Sequence, residues 1–205
     1  MKKLFVPVVM AMSLWMTGCQ QRSPVVVDPA YQPKEGDVIF QSLPHNPIID
    51  AIEGSTHSAF SHCGILHHDG KCWVVIEAIG PVRETPLPNW IGQSRDQQFS
   101  VFRLKKSYEP KLLEFIQAAK AYKGLPYDIH YDLDDGAIYC SELIYKAFRN
   151  ATGESLGQLQ RLGDLDWQPH EAVIKAIEGG NLPLERKMIT PRSLSEAAQL
   201  QRVYP

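Results

Sequence analysis

Residues 60–80 read FSHCGILHHDGKCWVVIEAIG, two β-rich runs on either side of Asp69-Gly70. Asp-Gly between such runs is the strongest short-range signal for a hairpin. With Asp69-Gly70 as a two-residue turn, His68 is expected opposite Lys71, Cys63 opposite Ile76 and His62 opposite Glu77. A four-residue loop is expected to keep that register, and a three-residue loop to turn Glu77 to the other face. Side chains directly opposed on one face have β-carbons about 4.5 to 5.5 Å apart, so an imidazole and a carboxylate there come within hydrogen-bonding reach. His62 and Glu77 are therefore a candidate base and its orienting acid. The carboxylate would set the tautomer and favour the imidazolium, leaving the second nitrogen to exchange a proton with a nucleophile.

The candidate nucleophile lies in AIYCSELIYKAF, residues 137–148, where Cys140 stands at the start of a stretch with Ile144, Ala147, Phe148 and Ala151 on one helical face. A thiolate at a helix N-terminus is favoured by the macrodipole and by a neighbouring imidazolium, and the thiolate is the species that attacks a carbonyl. Taken alone, such a cysteine reads more readily as a buried thiol packing a helix start. Its occurrence together with the His62–Glu77 hairpin favours catalysis.

Outward from these two stretches, GDVIF at 36–40 and QFSVFRL at 98–104 read as strands. EPKLLEFIQAAKAYKG at 109–124 reads as an amphipathic helix, with Pro110 in its first turn and a terminal glycine. Shorter helices are expected at 170–178 and 193–199. Strands and helices are grouped rather than alternating, which predicts an α+β fold with an antiparallel sheet packed against helices. The length of 205 residues suits one domain, and dispersed Lys and Arg with a formal net charge of −2 argue against nucleic-acid binding.

The N-terminus reads as an export signal: Met1-Lys2-Lys3 is positive and the apolar run from Leu4 to Met16 is too short to span a bilayer with ease. The run ends in MTGC, which resembles the lipobox of bacterial lipoproteins and implies acylation at Cys19. Gln20 after the cysteine then favours the outer membrane. The expected organisation is a signal peptide over 1–18, a proline-containing tether over 19–35 and a folded domain over 36–205. In an exported chain Cys63, Cys72 and Cys140 leave an odd number of thiols, so at least one is expected free. The expected register puts Cys63 and Cys72 about four residues apart along the ladder, too far for a disulfide. His57, His62, His67 and His68 match no common ligand spacing, and neither a metal nor a cofactor is expected.

THSAFSHCG at 56–64, IEAIGPV at 76–82, AYKGLPYD at 121–128 and YCSE at 139–142 together resemble the permuted papain-like amidases of the YaeF/YiiX group, relatives of the NlpC-type cell-wall peptidases. The order His62, Glu77, Cys140 is the circularly permuted one that this family shows. The resemblance implies a permuted papain-like fold with Cys140 as nucleophile, His62 as general base and then acid, and Glu77 as orienting residue. The backbone N–H of Cys140 is the physical expectation for one oxyanion donor. Tyr127, in the segment that resembles the family's cleft wall, either adds its hydroxyl or lines the pocket.

The implied function is a lipid-anchored envelope hydrolase that cleaves an amide, of a peptidoglycan-type peptide or another envelope compound, by way of a thioester. A lipid ester hydrolase or acyltransferase on the same residues is one alternative. A non-catalytic envelope-binding lipoprotein is another, and its thiol would be inert.

Overall fold

A computed structural model describes residues 31–205. The expected signal peptide, the lipidated Cys19 and most of the tether lie outside the described residues. Packed structure is already present before Gly36. Tyr31 is buried against Phe99 and Tyr204, with ring centroids at 5.7 and 5.3 Å, and its hydroxyl donates to Asp37 at 2.9 Å. The C-terminal end of the expected tether is thus docked, because an aromatic ring gains more by covering the sheet than by remaining in water.

The elements in chain order are β1 (Val38–Gln41), α1 (Pro47–Thr56), β2 (His62–His68), β3 (Trp73–Ala78), β4 (Val82–Pro86), α2 (Leu87–Ile91), β5 (Phe99–Leu104), α3 (Leu112–Lys120), α4 (Cys140–Thr152), β6 (Gln160–Arg161), α5 (Glu171–Ile177), β7 (Lys187–Met188), α6 (Pro191–Ser195) and β8 (Leu200–Tyr204). Six strands form one antiparallel sheet in the order β4-β3-β2-β1-β5-β8, and β6 pairs with β7 separately. This is the α+β architecture expected from the grouping of the elements.

Each face of the sheet carries a core. Val38, Phe40, Cys63, Ile65, Ile76 and Ala78 face α3 and α4, which bring Phe115, Ile116, Leu143, Ile144 and Phe148. Ile39, Leu66, Val75 and Val101 point the other way, to Trp90 and Ile91 of α2. Because successive side chains alternate across a strand, His62 and Glu77 belong to the second face.

The hairpin departs from the expected register. Asp69 to Cys72 make a four-residue loop, with His68 opposite Trp73 and Ile65 opposite Ile76. The Asp69 carboxylate closes it by accepting from the N–H groups of Lys71 and Cys72 at 2.8 and 2.9 Å. Such an Asx-type turn holds a wider loop than the two-residue turn. The loop is centred one residue later than Asp69-Gly70, so every pair moves by two residues, whereas a four-residue loop centred on Asp69-Gly70 would have kept the expected register. Continuing the observed ladder places Gly64 opposite Glu77 and makes His62 its diagonal neighbour. A shift of two preserves the face, so the two side chains still meet. Gly64 is required there: a β-carbon on it would lie 2.3 Å from Val75 Cγ1 and 2.9 Å from the Ile76 carbonyl oxygen.

α1, β4 and β8 were not anticipated. α1 carries a sequence signal nonetheless, since Asn46 caps it by accepting from the N–H groups of Ile48 and Ile49, and Pro47 occupies its first position.

Candidate active site

α4 forms because Leu143, Ile144, Ala147, Phe148 and Ala151 recur at helical spacing and all are buried, and Gly153 at φ 78° ends it. The helix thereby sets Cys140 at its first position, against the start of β2. Glu142 helps define that start, its carboxylate accepting from the Tyr139 N–H at 3.3 Å. Burial pushes Glu142 up to about 7, against the opposing pull of Lys146.

The structure brings Cys140, His62 and Glu77 together. His62 Nε2 and Glu77 Oε2 are 2.6 Å apart, with side-chain exposures of 3% and 0%. The other carboxylate oxygen accepts from Thr85 Oγ1 at 2.6 Å and from Arg83 Nε at 3.3 Å. Both partners come from β4, where Arg83 pairs directly with Glu77. A buried carboxylate with three donors stays ionised. Burial alone would raise Glu77, but the hydrogen bond and charge of His62, then Thr85 and Arg83, hold it below the usual range.

With Nε2 committed to Glu77, the hydrogen bond between His62 and Cys140 falls to Nδ1. Burial opposes charge on the imidazole. The hydrogen bonds to Cys140 and Glu77, together with their negative charges, outweigh it and carry His62 up to about 9. Cys140 moves the opposite way, well below the usual thiol range. The largest cause is a hydrogen bond from the Cys63 side chain; burial opposes it, and His62 and the Cys63 backbone add to the lowering. Cys63 itself is buried and raised, so it remains a protonated donor. Both shifts favour a thiolate–imidazolium pair over a neutral thiol and imidazole.

Sequence reasoning considered Cys63 only as a disulfide partner. It and Cys140 are free thiols, so no bridge joins Cys63 to Cys72. The role of Cys63 as a donor depends on where α4 ends in space, which no local pattern carries. Gln41 was also missed. It lies directly across β1 from His62, and both polar atoms of its wholly buried amide lack a protein partner. Trp90, whose ring centre is 5.9 Å from that of His62, screens the same side.

Tyr127 sits in a segment tied down by main-chain hydrogen bonds and is not among the residues lining the cleft at Cys140. The Gly124 N–H donates to Val82 O, the Val82 N–H to Leu125 O and the Ile138 N–H to Pro126 O, each at 2.9 Å, which pins the segment between β4 and the start of α4. Its hydroxyl donates to that of Tyr131 at 3.4 Å. Burial raises the Tyr127 phenol, and the charges of Tyr131 and then Cys140 raise it further, so its hydroxyl lies within the field of the thiolate. Tyr131, which the sequence did not single out, adopts φ 58° and packs on Tyr139 at 5.0 Å.

The other histidines are dispersed. His57 faces Asp166 at 3.3 Å, and His67 faces Glu35 at 3.0 Å. Among the described residues no three His, Cys, Asp or Glu side chains are arranged to hold a metal ion.

A family profile described as permuted papain-like amidase enzyme, YaeF/YiiX, C92 family, matches residues 32–204. The uncharacterized protein YiiX of Escherichia coli K12 is 36% identical over 177 residues, covering 85% of this chain and 87% of that protein. A crystal structure described as the metalloprotein YiiX of E. coli O157:H7 superposes with a TM-score of 0.80 at 36% identity, covering 85% of this chain and all of that one. The chain belongs to the C92 family of permuted papain-like amidases, which are cysteine hydrolases of the peptidase and amidase type.

Proposed function

We propose that the protein is an envelope cysteine amidase in which Cys140, His62 and Glu77 act as nucleophile, acid–base and orienting residue. The observation that carries this reading is the buried His62, bonded on one nitrogen to Glu77 at 2.6 Å and on the other to a Cys140 whose pKa is lowered.

In acylation the Cys140 thiolate adds to the amide carbonyl carbon and its C–S bond forms. The carbonyl oxygen takes the negative charge, facing the backbone N–H of Cys140 at the helix start. The His62 imidazolium gives its proton to the departing nitrogen as the C–N bond breaks, leaving a thioester and a neutral imidazole. Neutral His62 then removes a proton from water, the oxygen attacks the thioester carbonyl, and the acid product leaves as the thiolate–imidazolium pair is restored. Throughout, Glu77 faces a ring whose charge changes and keeps its plane fixed.

Localisation rests on the N-terminal sequence. The positive head, the apolar run and MTGC support export and anchoring through Cys19: once acylated, Cys19 would hold the domain at the outer membrane, facing envelope amides such as peptidoglycan-type peptides. The test is incubation of the protein with a library of peptide and acyl amides, followed by intact mass measurement after acid quench. A covalent adduct mapped to Cys140, absent from Cys140→Ala and strongly reduced in His62→Gln, is the expected result. Turnover that persists in Cys140→Ala overturns the assignment.

A further inference from the structure

The amidase mechanism gives the second thiol at the site no covalent part. Cys63 is wholly buried on β2, next in the chain to His62, and its side chain faces α4 in the core that also holds Val38, Phe40, Ile65 and Leu143. A small aliphatic side chain would meet the packing there. What distinguishes a thiol is its neighbour: the Cys63 side chain and the Cys63 backbone N–H both hydrogen-bond to the Cys140 sulfur. A disulfide needs its sulfurs at about 2.05 Å and its β-carbons at about 3.8 Å, so two cysteines whose sulfurs already share a hydrogen bond close one by turning their side chains. Cys140 is free to turn, because as the first residue of α4 it has no preceding helical turn to clash with.

The two thiols differ in access. Cys140 lies on the lining of an open cleft with Thr56, Ser61 and Ser141, whereas Cys63 is fully buried and off that lining. A small oxidant entering the cleft therefore meets Cys140 and not Cys63. Thiolate character together with access is what selects a cysteine for oxidation. We propose that Cys140 and Cys63 form a reversible redox pair, in which hydrogen peroxide oxidises Cys140 and Cys63 resolves the product as an intramolecular disulfide. This rests on the reading of Cys140 as a thiolate nucleophile.

In the first step the Cys140 sulfur attacks one peroxide oxygen. The S–O bond forms, the O–O bond breaks, and the departing hydroxide takes the proton of the His62 imidazolium and leaves as water. The sulfur gives two electrons to the peroxide and becomes a sulfenic acid. The Cys63 sulfur then attacks the Cys140 sulfur, the S–O bond breaks, and the hydroxyl leaves with the Cys63 proton as a second water. The disulfide withdraws the nucleophile from the cleft, and an external dithiol restores both thiols by exchange. Without Cys63 the sulfenic acid stays open to further peroxide and passes to the irreversible sulfinic acid.

In the test the full chain is treated with hydrogen peroxide, digested without reduction and mapped by peptide mass spectrometry, with iodoacetamide labelling of Cys140 as the measure of recovery. The wild type is expected to yield the Cys63 and Cys140 peptides joined, and dithiothreitol is expected to raise Cys140 labelling about tenfold or more over the oxidised protein. In Cys63→Ser, dimedone should tag Cys140 early, prolonged treatment should add two oxygens to it, and dithiothreitol should restore none of the labelling, measured against that variant's own untreated sample. The wild-type map decides by itself if the variant does not fold. Cys140 that reaches the sulfenic or sulfinic acid in the wild type without a link to Cys63, or a Cys63→Ser protein that recovers as fully as the wild type, overturns the pair and leaves the nucleophile standing. Cys140 that resists peroxide also overturns the pair, and iodoacetamide then decides the nucleophile separately: rapid His62-dependent labelling keeps that reading, and labelling no faster than a free thiol removes it.

Discussion

Glu77→Gln keeps the size of a fully buried side chain, removes its charge and turns one of its two acceptor oxygens into an N–H donor. In the wild type that charge sits 2.6 Å from His62 Nε2 and is itself neutralised by Thr85 and Arg83. A hydrogen bond to a charged group is worth about 1.5 to 3 kcal/mol, and one pKa unit corresponds to 1.36 kcal/mol, so losing the charge-assisted part should lower the imidazolium pKa by about 1 to 2 units from its value of about 9. The thiolate loses the same support, and the acid limb of Cys140 reactivity should move up by about 1 to 2 units. The assay is the second-order rate of iodoacetamide alkylation at Cys140 between pH 4 and pH 10, read by peptide mass spectrometry so that the buried Cys63 is separated. At the foot of the acid limb a shift of this size slows labelling about 10- to 100-fold, and turnover should fall by a similar factor. A Glu77→Gln profile that superimposes on the wild type refutes the reasoning, because it means the carboxylate does not support the ion pair.

Further outcomes follow from the same contacts. Cys63→Ala removes the largest lowering contribution to Cys140 and should shift its alkylation profile upward by about 1 unit, while Cys63→Ser retains a donor and restores most of it; coincident profiles for both variants would remove Cys63 from the account. His62 is raised in the folded state, so the stability it contributes is fully present below pH 6.5 and is lost as pH rises through about 9; chemical denaturation should show that decline in the wild type and not in His62→Gln. Gly64→Ala forces a β-carbon against Val75 and the Ile76 carbonyl and should cost about 1 to 3 kcal/mol, measurable as a lowered midpoint in urea; an unchanged midpoint would mean that the strand yields freely.

Several features are written locally and were legible. The strand pattern around Asp69-Gly70, the helix opening at Cys140 and the alternation that puts His62 and Glu77 on one face depend on the periods of 2 and 3.6 residues, and these survive a wrong loop length. That is why a register wrong by two residues still paired the right side chains: parity is a property of the strand, whereas the opposing residue is a property of the turn. The ordered motifs from Thr56 to Glu142 likewise identified the family without coordinates.

What only the tertiary structure decided is whatever depends on segments distant in the chain. Thr85 and Arg83 reach Glu77 because β4 lies beside β3. Cys63 becomes a donor to Cys140 because α4 starts against β2, and Gln41 faces His62 because β1 pairs with that strand. A sequence specifies which face of each element is apolar, but what that face meets is settled by how the elements assemble.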